Sequence, residues 1–255
     1  MKRSNLFTLI SIIIWILIWF IAAFFIDNEI LLPSPAAVTR TLFELMSRKD
    51  FYVSILFSLR GIAVGFLTGL FSGILLAVLS YINSFVSSFI SIFIKCIKSI
   101  PVASFVILVL FWISGKELSI LISAMIVLPV IYTNVLSGLA GTDIKMLEFA
   151  KIFRMSFFKK IRYIYIPSIM PALISACSVT IGYAWKSGVA AEIIGLINNS
   201  IGNELYKTKL YLETPQLFAW TITIIFISFI CEKAVILVLT LINHKIGGFT
   251  NGNRD

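Results

Sequence analysis

Uninterrupted apolar runs about as long as a bilayer-spanning helix recur along this chain, and they restrict its fold more than any other feature. The first, 6–26, reads LFTLISIIIWILIWFIAAFFI. In hydrocarbon every backbone N–H and C=O must find a partner inside the protein, so only helices or a closed barrel can cross. A barrel would show short strands of alternating polarity, whereas these runs are long and continuous. Of 255 residues, 59% are hydrophobic and only 13% charged, far less charge than a soluble surface needs. The chain therefore reads as one all-α membrane domain covering 1–255.

Six spanning helices are expected. The first covers about 5–26, with Lys2 and Arg3 ahead of it. Its apolar run exceeds the core of a cleavable signal, so it reads as a retained helix. Leu32-Pro33-Ser34-Pro35 and a short helix at 37–46 follow. The second span covers 52–80; the third covers 85–113 and is interrupted near Pro101. After a turn at Ser114-Gly115-Lys116, the fourth covers 117–138. The fifth covers 168–192, and a polar loop at 193–214 leads to the sixth, 215–241. The polar end, about 243–255, reads as a flexible tail. Gly61, Gly65, Gly69, Gly73 and Ala77 stand four apart on the second span, a small-residue stripe that lets another helix approach closely.

The net charge of +9 matches cytoplasmic loops that collect Lys and Arg, and is no argument for nucleic acid. Lys2, Arg3, Lys145, Lys151, Arg154, Lys159, Lys160, Arg162, Lys245 and Arg254 fall on one side of this topology. Arg40, Arg48, Lys49, Lys116, Lys207 and Lys209 fall on the other. Ten against six places both termini in the cytoplasm. Cys96, Cys177 and Cys231 lie in apolar segments without metal-ligand spacing and read as small buried hydrophobes. His244 is the only histidine, so neither a catalytic set nor a metal site is expected, and the chain is read as no enzyme.

Between the fourth and fifth spans lies a basic island, about 139–167. Residues 144–153 have helical spacing, with Ile144, Leu147 and Ala150 on one face and Phe153 beside it. Arg154-Met155 reads as a bend, Ser156 as the cap of a second short helix, and Pro167 as the start of the fifth span. Two short helices at a membrane face suit docking to a soluble partner.

Here the chain resembles the transmembrane subunits of binding-protein-dependent ABC importers, whose cytoplasmic loop is written E-A-A-x3-G-x9-I-x-L-P. Glu148, Ala150, Ile164 and Pro167 fall in register, while Phe149, Arg154 and Ile166 replace the first A, the G and the L. LLPSP at 31–35, Ser58-Leu59-Arg60, Gly65-Phe66, Ile100-Pro101, Ala184-Trp185 and Ala190-Ala191-Glu192 look like the nitrate/sulfonate/taurine-type branch. The resemblance implies a type I importer permease of six helices in a bacterial plasma membrane. A second permease copy, taken here as identical, would complete the pore, and an extracytoplasmic binding protein would deliver substrate. Two cytoplasmic ATPases, holding ATP and Mg²⁺, would dock on Glu148, Phe149, Ala150, Phe153, Arg154, Ile164 and Pro167. The chain has no G-x4-G-K-[ST] loop of its own and binds no cofactor in this reading. An Arg in the glycine place implies roughly 1 kcal/mol of strain if that backbone is left-handed.

Ionisable residues inside a bilayer are costly and point to function. Ser84, Ser87, Ser88, Ser91, Lys95 and Lys98 form a polar stripe ending just before Pro101. Either this stripe faces a water-filled pathway for an anion, or the segment lies along the interface with its lysines at phosphates. Lys95, Lys98, Pro101, Lys186 and Glu192 are the expected pathway residues; Lys186 continues a Ser178–Gly182 stripe and either lines the same path or pairs with Glu192. Arg60 reads as a headgroup or loop anchor. The substrate expectation is a small organic anion such as a sulfonate, taurine or nitrate. A vitamin precursor such as hydroxymethylpyrimidine is the alternative. A scaffold without transport, or an ion-driven transporter, would lack the ATPase partner.

Overall fold

A computed structural model of the chain describes residues 2–113 and 115–246. All regular structure among them is helical. The spanning helices are α1 (Lys2–Ile26), α3 (Lys49–Ile82), the broken pair α4 (Ser84–Ser99) and α5 (Val102–Val109), α6 (Leu118–Ala140), α9 (Ile166–Ile194) and α11 (Thr214–Ile246). Shorter pieces are α2 (Pro35–Met46), α7 (Ile144–Ile152), α8 (Phe157–Lys160) and α10 (Ile201–Leu210). Ser34 caps α2 through its hydroxyl, which accepts from the Ala37 amide at 3.2 Å, and Pro35 takes the first helical position.

The centre of the molecule is the contact between α3 and α6. The glycine stripe packs there: a Cβ on Gly69 would lie 2.6 Å from the carbonyl oxygen of Ala124, and Gly61, Gly65 and Gly73 are equally tight against Ser119, Ser123 and Ile131. These partners rise in number together, and Tyr132 donates to Ser80 at 3.1 Å further along. So α3 and α6 run parallel.

Parallel neighbours need a return crossing. The chain between them, α4 and α5, is bent by 101° at Ser99–Val102. The α4 helix starts where α3 ends, and Val106 and Val109 of α5 pack with Leu118 at the start of α6. The bent pair therefore crosses from one end of the bundle to the other as a single broken span, which makes six crossings among the described residues. Trp19 of α1 stacks on Phe218 of α11 at 5.7 Å, and Phe51 of α3 meets Trp220 of α11 at 4.9 Å. The end of α1 and the starts of α3 and α11 thus share one end of the bundle. Tyr81 of α3 meets Tyr165 at 6.0 Å at the other, with the island. The start of α1 and the end of α11 point to the island's end.

Four expectations are corrected. Of the three cysteines expected to be buried, Cys177 is, whereas Cys96 is exposed and Cys231 half-buried. The fifth span starts well before 168: Pro167 stands in the first turn of α9, as expected, but Phe157–Ile194 is continuous, with a π turn at Ile161–Tyr165 just before the proline. Proline brings no N–H to the ladder, and the wider turn re-registers the bonds around it. The loop at 193–214 contains α10; Ser200 caps it, accepting from the Asn203 amide at 3.0 Å, so Gly202-Asn203 belong to its first turn. The last helix runs to Ile246, past the expected start of the tail. The rest of the tail and Ser114 lie outside the described residues.

Candidate functional site

The island starts from Asp143, whose carboxylate accepts the Lys145 amide at 2.9 Å and caps α7. Ala150 is the buried residue of α7 at 0% exposure. Leu147 is half-buried, whereas Ile144 stands exposed, so the expected apolar face turns inward only in part. Glu148, Phe149 and Phe153 are exposed, and the two rings pack at 4.4 Å.

Arg154 has φ +48°, the left-handed backbone its position in the motif implies. The Met155 amide reaches back to the Ala150 carbonyl at 2.9 Å, and the Arg154 amide to that of Lys151 at 3.1 Å. This pair of bonds is the Schellman closure of a helix, and it defines the bend. Ser156 is extended at the start of α8, as a cap requires, but its hydroxyl makes no capping bond; its carbonyl accepts the Lys160 amide at 3.1 Å.

The flanks of the island are tied to the bundle. Ile164 is buried. Ser168 donates to the Gly138 carbonyl at 3.0 Å, and Thr142 donates to Ser168 at 3.2 Å. What remains outside is a large apolar and basic surface: Ile152 is 75% and Phe158 80% exposed, with Phe157 between and Lys145, Lys151, Arg154 and Lys159 around them. An apolar patch of this kind rimmed by charge marks an interaction site.

Of the intramembrane candidates, Lys95 and Lys98 lie exposed on α4. Helical spacing divides α4 into three faces. Ile90, Ile94 and Ile97 face the core; Ser84, Ser88, Lys95 and Lys98 lie on one flank; Phe85, Phe89, Ile92 and Phe93 lie on the other. Pro101 occupies the break. Lys186 is exposed in an open groove of about 460 Å³ between α9 and α11, lined by Trp185, Ile225, Phe226, Phe229 and Glu232. Glu232 accepts the Ser178 hydroxyl at 2.6 Å.

Glu192 stands apart from these. It is fully buried, and its Oε2 accepts from Ser58 at 2.7 Å and from the Gly202 amide at 3.1 Å. The expected pairing with Lys186 is absent: the ion pairs among the described residues are Arg40–Glu44 and Lys207–Glu204. The geometry does not turn the carboxylate towards a pathway, because Ser58 and the start of α10 enclose it. Ser58 was visible in the sequence only as part of a short motif, and nothing in its spacing from Glu192 pointed to their contact.

Four likenesses to known proteins bear on this arrangement. A putative aliphatic sulfonates transport permease protein, SsuC, of Bacillus subtilis is 22% identical over 189 residues, covering 74% of this chain and 68% of that protein. A putative ABC transporter permease protein of Methanocaldococcus jannaschii is 25% identical over 193 residues, 73% of this chain and 72% of its own. A chain from a crystal structure of an amino acid ABC transporter with histidines superposes with a TM-score of 0.58 at 18% identity, covering 80% of this chain and 97% of that one; it shares the fold. Residues 65–247, which carry the glycine stripe from Gly65 onward, the island and Glu192, match the family model described as binding-protein-dependent transport system inner membrane component. With that match spanning most of its length, the chain belongs to this family of multi-pass ABC transporter permeases, which are not themselves enzymes.

Proposed function

We propose that this chain is the pore-forming half of an importer for a small organic anion, a sulfonate foremost, and that its island receives the ATPase. The observation that carries the reading is the island itself. A short helix is closed by a left-handed bend at Arg154, held to the bundle on both flanks, and left with an exposed apolar, basic outer surface. In this reading Glu148, Phe149, Phe153 and Arg154 contact the ATPase, which binds ATP and Mg²⁺. Ala150, Ile164 and Pro167 hold the contact surface in place. The basic excess at the island's end puts it, and both termini, in the cytoplasm.

The polar flank of α4 supports a pathway shared with an identical second copy: Lys95 and Lys98 lie on one exposed side, the aromatic residues on the lipid side, and Pro101 at the break frees backbone groups between them. Lys186 would serve the same anion from α9. A binding protein on the opposite face delivers the solute. The sulfonate named for the Bacillus subtilis relative agrees with these cations. The test is ATP-dependent uptake of sulfonates, taurine and nitrate by vesicles holding the permease, its ATPase and its binding protein. Uptake without ATPase, or none after the full complex forms, rejects the reading.

A further inference from the structure

We propose that Glu192 is a positioning residue that fastens α10 to α9 and α3, so that α10 moves with the helix that leaves the island. The proposal rests on the island being the ATPase dock. The continuous helix Phe157–Ile194, 38 residues with a π turn near its start and Pro171 inside it, leads from the island to Glu192. The bend at Arg154 precedes one end, and Glu192 stands in the last turn of the other.

At that far end the contacts are closed and specific. Glu192 Oε2 accepts from Ser58 of α3 and from the Gly202 amide of α10. Ser58 in turn accepts the Ile201 amide at 2.9 Å, so one hydroxyl serves both the carboxylate and the first turn of α10. Gly202 leaves no slack: a Cβ there would lie 2.7 Å from the Ile193 amide nitrogen. Three helices thus meet on one carboxylate, 134 residues along the chain from Ser58. A capping carboxylate at a helix start is favourable on its own. Here, however, the carboxylate comes from the end of another helix and also holds a third.

The same layer is incompletely satisfied. Glu192 Oε1 and Ser119 Oγ are buried without a protein partner, and Ser119 lies against Gly61, one turn along α3 from Ser58. Unpartnered buried polar atoms are uncommon and mark packing held in place by its surroundings. The Ser58–Glu192–Gly202 bonds carry α10 along as the helices rock.

Hydrogen–deuterium exchange on the permease–ATPase complex in nanodiscs, without nucleotide and trapped with ATP and vanadate, tests this. In the wild type, residues 144–153 and 201–210 are both expected to change exchange on trapping. Glu192→Ala, which removes the acceptor that α9 offers to Gly202, is expected to lose the change at 201–210 while keeping that at 144–153 and leaving basal ATP hydrolysis unaltered. Glu192→Gln, whose amide oxygen can accept both bonds, is expected to keep both changes. A normal response of 201–210 in Glu192→Ala overturns the proposal. So does faster exchange in both states with the difference preserved, because that is the signature of a plain structural cap. A wild-type island that responds while α10 does not also overturns it and leaves the docking reading standing. A wild-type island that does not respond removes the docking reading, and the proposal with it.

Discussion

The amide of Met155 bonds the carbonyl of Ala150 at 2.9 Å across Arg154, whose φ of +48° makes that bond possible. A left-handed backbone costs a residue with a Cβ roughly 1–2 kcal/mol, and glycine returns part of any gain through its looser unfolded chain. Arg154→Gly is therefore expected to hold or raise stability by up to about 1 kcal/mol, and Arg154→Val to lower it, since β-branched residues tolerate this region worst. Thermal unfolding of the purified protein checks the order Gly, Arg, Val.

Glu148 is exposed on α7, and the ion pairs among the described residues do not include it. Glu148→Lys is expected to leave membrane insertion unchanged. It is expected to cut ATP-driven uptake by about tenfold or more, the loss of one charge-assisted contact of roughly 1.5–3 kcal/mol. Co-purification of the ATPase, quantified beside uptake, distinguishes failed docking from failed folding.

A Cβ at Gly65 would meet the Ser123 Cβ at 2.8 Å and the Ile120 backbone closer still. Neither neighbour can swing away as a long side chain would. Gly65→Val is expected to force α3 from α6 and cost several kcal/mol, of the order seen for severe overpacking. Loss of the monodisperse peak in detergent size-exclusion chromatography is the readout. Gly182→Ala, where an added Cβ meets nothing within 4 Å, is the control expected to behave as wild type.

Much of this was legible beforehand. The apolar runs announced six crossings, and the four-residue glycine spacing announced a close helix contact, because both signals are local and repeat. The motif spacing also placed the bend at Arg154. The continuity of α8 into α9 was hidden because proline is a common helix starter, and a π turn that absorbs an internal proline leaves no mark in composition. The helix α10 was hidden because Ser200, Gly202 and Asn203 serve turns and helix starts alike. The setting of Glu192 could not be read at all, since its partner lies 134 residues away.

Lys98 and Lys95 share the polar flank of α4, opposite Phe85, Phe89 and Phe93. Lys98→Met is expected to reduce anion uptake by about tenfold, equivalent to roughly 1.4 kcal/mol, with Lys98→Arg retaining most of it. Uptake kinetics in the reconstituted complex check this; equal rates for all three versions would place the lysines at lipid headgroups instead.

Tyr132 donates to Ser80 at 3.1 Å between two buried side chains. Tyr132→Phe is expected to destabilise the protein by about 1 kcal/mol, the ordinary net worth of such a bond. Ser80→Ala should cost a similar amount and the double variant little more than either alone, which a double-mutant cycle measures.

The parallel pairing of α3 with α6 also sets an order of events at the ribosome. Gly65 meets Ile120 only after another 55 residues have been made, with the whole of α4 and α5 in between. At 5–20 residues per second that interval is roughly 3–11 s. During it the glycine groove of α3 has no helix to receive, and the bent pair must enter the bilayer before its scaffold exists. Between its second and fourth crossings the newborn chain thus presents that groove unfilled to insertases and membrane proteases, and a variant that slows the entry of α6 is expected to prolong that interval.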